Sequence, residues 1–174
     1  MSTRIAFIGG GNMATSLVGG LLAAGTTPAS ILVAEPDTDR RSFLSRQFGI
    51  ATTASNLETL QQDVVVLSVK PQIMQAVCRQ LAASENAGTP LYVSIAAGIT
   101  TNDIARWLGG TADIVRCMPN TPALIRCGAT ALYANESVSE AQRQLADTIL
   151  GAAGITVWVD KEDLLDAVTA VSGS

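Results

Sequence analysis

Three consecutive glycines, Gly9-Gly10-Gly11, with Ala14 shortly after them, are the residues of this chain whose type and spacing most clearly imply chemistry. An apolar run precedes them at Ile5–Ile8, and a helical pattern follows from Asn12. A turn of this kind gathers backbone N–H groups and the positive end of a helix dipole at one point, which suits an anion. Gly9 takes the tight turn, Gly11 lets the backbone approach a diphosphate, and Ala14 permits helix and strand to pack closely. Asn12 and Met13 would border the ligand through their backbone. The expected ligand is a dinucleotide; the alternative is a tight turn with a purely structural purpose.

Further candidates follow at the ends of later apolar runs. Glu35 ends the second run, where a carboxylate accepts hydrogen bonds from the ribose 2'-hydroxyl of NAD and repels the 2'-phosphate of NADP. Arg40 and Arg41 follow closely; they either reach a phosphate across the turn or form solvated helix surface. The residues alone thus leave NADP or NAD open and lean to NAD. Lys70 directly follows the run at 64–69, with Ser68, Val69 and Pro71 around it, at the carboxyl edge where open parallel sheets bind ligands. Gly98, preceded by Ala97, and Asn120, in the turn Met118-Pro119-Asn120-Thr121-Pro122, occupy equivalent positions, each with an ordinary turn or surface reading beside the functional one. Asn56 is either a helix cap or an amide facing the adenosine end.

Other chemistry is excluded by composition. The chain has no histidine, hence no imidazole base and no His-ligated metal. Cys78, Cys117 and Cys127 are widely spaced and read as reduced, buried thiols, without a paired base to make a nucleophile. No catalytic side chain and no metal ligand is therefore assigned. A net charge of -4 with scattered basic residues argues against a nucleic-acid groove. Only four apolar residues follow Arg4 before the glycines, which predicts neither a secretory signal nor a membrane span and points to the cytoplasm.

These residues need elements to hold them. With 174 residues and 48% hydrophobic content, the chain suits one well-filled domain and part of another. Buried runs at 5–8, 31–34, 50–53, 64–69, 91–95, 114–117, 129–133 and 155–159 alternate with helical stretches at 12–24, 37–48, 73–81, 101–108 and 139–150. Asp37 caps the second helix and Gly49 closes it, while Ser139 with Gln142, or Ser137 with Glu140, opens the last. The alternation predicts an α/β fold of Rossmann type: a doubly wound, mostly parallel sheet of about eight strands with helices on both faces. Residues 1–161 form this NAD(P)-binding domain, and 162–174 turn helical again as a frayed terminus or the start of a linker.

The chain resembles the pyrroline-5-carboxylate reductases. The resemblance rests on Phe7-Ile8-Gly9-Gly10-Gly11-Asn12-Met13-Ala14, Ser68-Val69-Lys70-Pro71-Gln72, Ser94-Ile95-Ala96-Ala97-Gly98-Ile99, Arg116-Cys117-Met118-Pro119-Asn120-Thr121-Pro122, residues 129–135 and residues 165–174. It implies reduction of the imine 1-pyrroline-5-carboxylate to L-proline with NADPH or NADH, the last step of proline biosynthesis. By this resemblance Gly9 to Ala14 contact the pyrophosphate and Asn56 lies by the adenosine. Ser68 to Pro71, with Ala97 and Gly98, line the path to the nicotinamide. Many members prefer NADPH, against the lean that Glu35 suggests. The family continues into a helical domain that dimerises and completes the substrate site. The expectation is therefore a homo-oligomer for a full-length chain and, for these 174 residues alone, dinucleotide binding with little turnover and a monomeric state. Competing expectations are another β-hydroxyacid or imine dehydrogenase, and a non-catalytic nucleotide-sensing module.

Overall fold

A computed structural model of the chain describes residues 3–84, 88–119 and 128–167. Asn120, the rest of its proline-bracketed turn, Cys127 and the tail from 168 lie outside the described residues. The strands are β1 (Ile5–Ile8), β2 (Ile31–Ala34), β3 (Ala51–Thr53), β4 (Val64–Leu67), β5 (Leu91–Ser94), β6 (Ile114–Pro119), β7 (Gly128–Ala134) and β8 (Gly154–Trp158). The helices are α1 (Asn12–Ala23), α2 (Thr38–Phe48), α3 (Pro71–Ala82), α4 (Thr101–Trp107) and α5 (Glu140–Gly151), with short 3-10 turns at Pro28–Ser30 and Asn56–Gln61.

All eight strands join one sheet in the order β3-β2-β1-β4-β5-β6-β7-β8. Every neighbouring pair is parallel except β6 with β7. The exception has a simple cause: eight residues separate Pro119 from Gly128, too few for the crossover that a parallel neighbour requires. The same pairing carries β6 through Pro119, beyond the run expected at 114–117, because Met118 and Pro119 face Ala131 and Thr130.

Strand alternation divides the core into two layers. Phe7, Val66 and Val93 point to one face, where Leu17 and Leu21 of α1, Leu44 of α2 and Ile149 of α5 cover them. Ala6, Ile8 and Val65 point to the other, against Met74 and Leu81 of α3 and Ile104 of α4. A strand buried on both faces has no polar side to show, which is why β4 reads Val-Val-Val-Leu. The expected caps are present: Asp37 accepts from the Arg40 N–H at 2.7 Å, Gly49 closes α2 with φ +67°, and Ser139 and Gln142 form a capping box on α5. Ile73 keeps helical spacing but lies 49% exposed, because the core-facing stripe of α3 passes through Met74, Val77, Cys78 and Leu81.

Beyond β8 the chain folds back over the sheet. Leu165 is fully buried against Met118 and Ala131. Glu162 accepts from the Thr101 N–H at 2.7 Å and from its hydroxyl at 3.0 Å. The guanidinium of Arg116, only 2% exposed, meets Glu162 at 3.4 Å and Asp166 at 2.5 Å. A buried arginine requires such partners, since an unpaired charge in the interior is costly.

Candidate functional site

The order of the sheet reverses at β1, with β2 on one side and β4 on the other, and ligands of open parallel sheets bind at such a switch point. Register pairs Ile8 with Leu67 and Leu67 with Ser94. The loops that begin at Gly9, Ser68 and Ile95 therefore leave the sheet at one level and share one edge.

The three glycines have different reasons to be glycine. Gly9 sits at φ +97°, and a Cβ there would lie 2.7 Å from the Ser68 carbonyl oxygen. A Cβ on Gly10 would meet Leu44 Cδ1 at 2.7 Å and Glu35 Oε2 at 3.3 Å. At Gly11 nothing lies within 4 Å of that position, and φ of -66° would admit any residue. The chain's own packing thus accounts for the first two and leaves open space at the third, the room a closely approaching ligand needs. Gly11 is also the N-cap of α1, whose first turn has neither a capping side chain nor an acidic residue. Its unsatisfied N–H groups suit a diphosphate.

Side chains brace the turn from several elements. Ser68 Oγ lies 2.9 Å from the Ile8 carbonyl oxygen and 2.8 Å from that of Gly9, within donating distance of either. Glu35 accepts the Gly10 N–H at Oε2 (2.8 Å) and the Asp37 N–H at Oε1 (3.1 Å). Arg40 donates from Nε to the Gly10 carbonyl and from Nη2 to Thr15 Oγ1, both at 2.5 Å, and lies over the Phe43 ring, 5.0 Å from its centroid. Arg41 donates to the carbonyls of Glu35 and Pro36 and to Thr38 Oγ1. The solvated-surface reading of these two arginines is corrected here: both are half-buried and tied to the backbone around the turn. Asn12, Thr15, Arg40 and Phe43 line part of a groove of about 550 Å³ between α1 and α2.

Of the other expected site residues, Ala14 is buried, Met13 is half-buried and Asn12 is exposed. Lys70 is exposed at the N-cap of α3, and Pro71 occupies the first turn. Val69 packs beneath the glycine turn, its Cγ1 3.1 Å from where a Gly9 Cβ would sit. Ala97 and Gly98 are exposed, and Gly98 has φ +71° with open space around its Cβ position. Asn56 is not a cap: Ser55 holds that position, and the Asn56 amide donates to Gln80 Oε1 at 2.9 Å. Asn120 is outside the described residues. Sequence reasoning assigned nothing to the Arg116–Glu162 pair. Its signal, an arginine inside a buried run, becomes readable only when the acid 46 residues away is in place.

The two described thiols, Cys78 and Cys117, are buried and free, surroundings that suit packing and not nucleophilic attack. Burial pushes Cys78 up to about 11 and raises Cys117 further, so both are neutral near pH 7. Among the described residues no group of three His, Cys, Asp or Glu side chains could hold a metal ion, and no helix is long and apolar enough to cross a membrane.

Comparison with known proteins follows the same lines. The family described as NADP oxidoreductase, coenzyme F420-dependent, matches residues 4–98, more than half of the chain. The chain is 53% identical to a pyrroline-5-carboxylate reductase of Pseudomonas aeruginosa, over all of this chain and 64% of the relative. It is 44% identical to that of Haemophilus influenzae, over 98% of this chain and 62% of the relative. A solved pyrroline-5-carboxylate reductase from Coxiella burnetii superposes with a TM-score of 0.94 at 43% identity, covering 99% of this chain and 64% of that one. A pyrroline carboxylate reductase from Plasmodium falciparum, solved with NADP bound, does so with a TM-score of 0.84 at 25% identity, covering 98% and 62%. The chain thus spans just under two thirds of the length of these relatives. By the match across β1 to the Gly98 loop, it belongs to the NADP oxidoreductase, coenzyme F420-dependent family, and over its whole length it is similar to pyrroline-5-carboxylate reductases.

Proposed function

We propose that this chain is the cofactor-holding part of a pyrroline-5-carboxylate reductase, which reduces the cyclic imine 1-pyrroline-5-carboxylate to L-proline with NAD(P)H in the cytoplasm. The carrying observation is 53% identity to such a reductase over the whole chain. It coincides with a glycine turn whose third glycine is left open by the protein's own packing. Residues 1–161 act as the dinucleotide-binding unit. The donor N–H groups at Gly11, Asn12 and Met13 take the diphosphate, and Ser68 and Glu35 hold the turn in shape for it. Asn56 lies toward the adenosine, Ser68 to Pro71 with Ala97 and Gly98 border the nicotinamide end, and Asn120, outside the described residues, remains a cofactor-binding candidate from the sequence.

The bound nicotinamide supplies the hydride. A protonated C=N carbon is already electrophilic, so positioning is the main requirement placed on the protein. That requirement is compatible with neutral thiols and a chain without histidine. Substrate closure and assembly into a homo-oligomer belong to a chain of the relatives' length.

The test is direct. A chain extended to that length should oxidise NAD(P)H in a manner dependent on 1-pyrroline-5-carboxylate, and the 174 residues alone should bind the dinucleotide with little turnover. Turnover with another imine or a hydroxy acid, but not with pyrroline-5-carboxylate, would overturn the assignment. Absence of dinucleotide binding would overturn the site.

A further inference from the structure

We infer that Glu162 is a positioning residue for the nicotinamide end of the site. Its carboxylate, steadied by the buried Arg116, holds the start of α4 and with it the Ala97–Gly98 loop, so that docking of the segment after β8 and binding of the nicotinamide are coupled. The inference rests on the dinucleotide reading of the glycine turn and concerns side chains that act on the ligand through that loop.

Arg116 stands at the level where the site opens. Register pairs it with Ser94, the last residue of β5, which lies level with Leu67 and, through it, with Ile8. Alternation along β6 turns Arg116 to the same face as Ile114, in the core layer that α3 and α4 cover. A charge in such a layer needs an acid. The two it meets, Glu162 and Asp166, lie 46 and 50 residues further along the chain.

The two acids have different second contacts. The Asp166 side chain is 61% exposed and meets Arg116 alone among the described residues. Glu162 also takes the Thr101 N–H at Oε1 (2.7 Å) and the Thr101 hydroxyl at Oε2 (3.0 Å). The loop before α4 is thereby tied at both ends. At its start the Ile95 N–H donates to the Leu67 carbonyl and the Ala96 N–H to Ser94 Oγ, both at 3.3 Å. At its far end Thr101, 2% exposed, is held by Glu162. Between these ties Ala97 and Gly98 are exposed. Thr100 and Asp103 bond to each other within α4, which shapes the first turn without fixing its place over the sheet. Ile104 packs α4 into the core one turn later, and Glu162 is the contact that fixes its first residue. A ligand that orders this loop favours the docked segment, and by linkage the docked segment favours the ligand to the same degree.

The test is a calorimetric titration of the whole 174-residue chain with NADP+ and with 2'-phospho-ADP-ribose, the same molecule with a hydroxyl in place of the nicotinamide. Amide hydrogen exchange read by mass spectrometry accompanies it. Wild type should bind NADP+ the more tightly, and NADP+ alone of the two should slow exchange at 96–104 and 162–167. Glu162→Gln keeps the size and loses the charge that faces Arg116. It should weaken NADP+ about tenfold, the scale of one charge-assisted contact, and leave 2'-phospho-ADP-ribose within about twofold. Thr101→Val keeps the ion pair and loses one hydrogen bond. It should weaken NADP+ selectively by about threefold, and it decides the matter if Glu162→Gln does not fold. Asp166→Asn alters the other partner of Arg116 without touching α4, and should leave both affinities unchanged. Equal weakening of both ligands by Glu162→Gln, weakening of neither, or a selective loss of NADP+ in Asp166→Asn as large as in Glu162→Gln overturns the inference while leaving the dinucleotide site standing. Equal affinity of wild type for the two ligands, or exchange at 96–104 and 162–167 that NADP+ does not slow, does the same. Binding of neither removes the dinucleotide reading and this inference together.

Discussion

Four helices, α1 to α4, begin at the same edge of the sheet, and they fall into two pairs. At α2 the Asp37 carboxylate caps the first turn and Asp39 adds an acid. At α4 the Thr100 hydroxyl accepts the Asp103 N–H, and Glu162 reaches over to accept that of Thr101. At α1 and α3 the cap positions hold Gly11 and Lys70, with no side-chain cap and no acid in the first turn. Free helix N–H groups want an acceptor. The chain supplies a side-chain acceptor at α2 and α4 and none at α1 or α3, although at α3 Pro71 has no N–H and Ile73 N–H turns back to the Lys70 carbonyl at 3.1 Å. The uncapped pair flanks the switch point between β1 and β4, where the glycine turn lies. Self-satisfaction marks where the fold protects itself, and its absence marks where a ligand is expected.

The largest expected effect comes from breaking the self-satisfied side. Glu162→Ala removes a partner of the buried Arg116 and the acceptor of Thr101 together. Unfolding by denaturant should show a loss of about 3 kcal/mol, whereas a loss below about 0.5 kcal/mol would mean that Asp166 and water replace the pair. On the open side, Gly11→Val places atoms in space the protein does not use. Dinucleotide affinity should fall about a hundredfold, close to 3 kcal/mol at 1.4 kcal/mol per decade, with a stability loss of no more than about 1 kcal/mol from the poorer α1 cap. If stability fell and affinity held, the open-space argument would be wrong.

Smaller substitutions sharpen the contrast. Asp37→Ala should cost about 1 kcal/mol in stability through loss of the α2 cap. Its effect on nucleotide affinity should be much weaker than that of Gly11→Val. Lys70→Asp does the reverse by giving α3 a cap and a negative charge. A gain of about 0.5 kcal/mol in stability with weaker dinucleotide binding is expected. Equal or tighter binding would show that the α3 end does not face the ligand.

Features carried by neighbouring residues are legible in the amino-acid sequence. The glycine turn, the Asp37 and Gly49 caps, the Ser139–Gln142 box and the continuous apolar run of β4 each depend on residues a few positions apart, and each occurs where expected. Features that need a distant partner are not. Asn56 reads as a cap locally, yet its amide meets Gln80 on α3. Glu35 reads as a ribose acceptor, and only the fold shows that its two oxygens also accept N–H groups around the turn. Arg116 and Glu162 attract no notice singly, and only the return of the chain after β8 brings them together.

By itself, then, the sequence determined the α/β class, the order of the elements, the glycine turn and the family resemblance. Periodicity, capping and turn chemistry are short-range, and burial leaves a continuous mark on strands covered from both sides. Only the tertiary structure decided which glycines the protein's own packing requires and which position it leaves open. It also decided that Glu35 braces the turn, and that Glu162 reaches the start of α4 from beyond β8. The physical reason is that hydrogen-bond donors and acceptors are assigned by proximity in space. The strongest determinants of this site come from segments 25 to 60 residues apart.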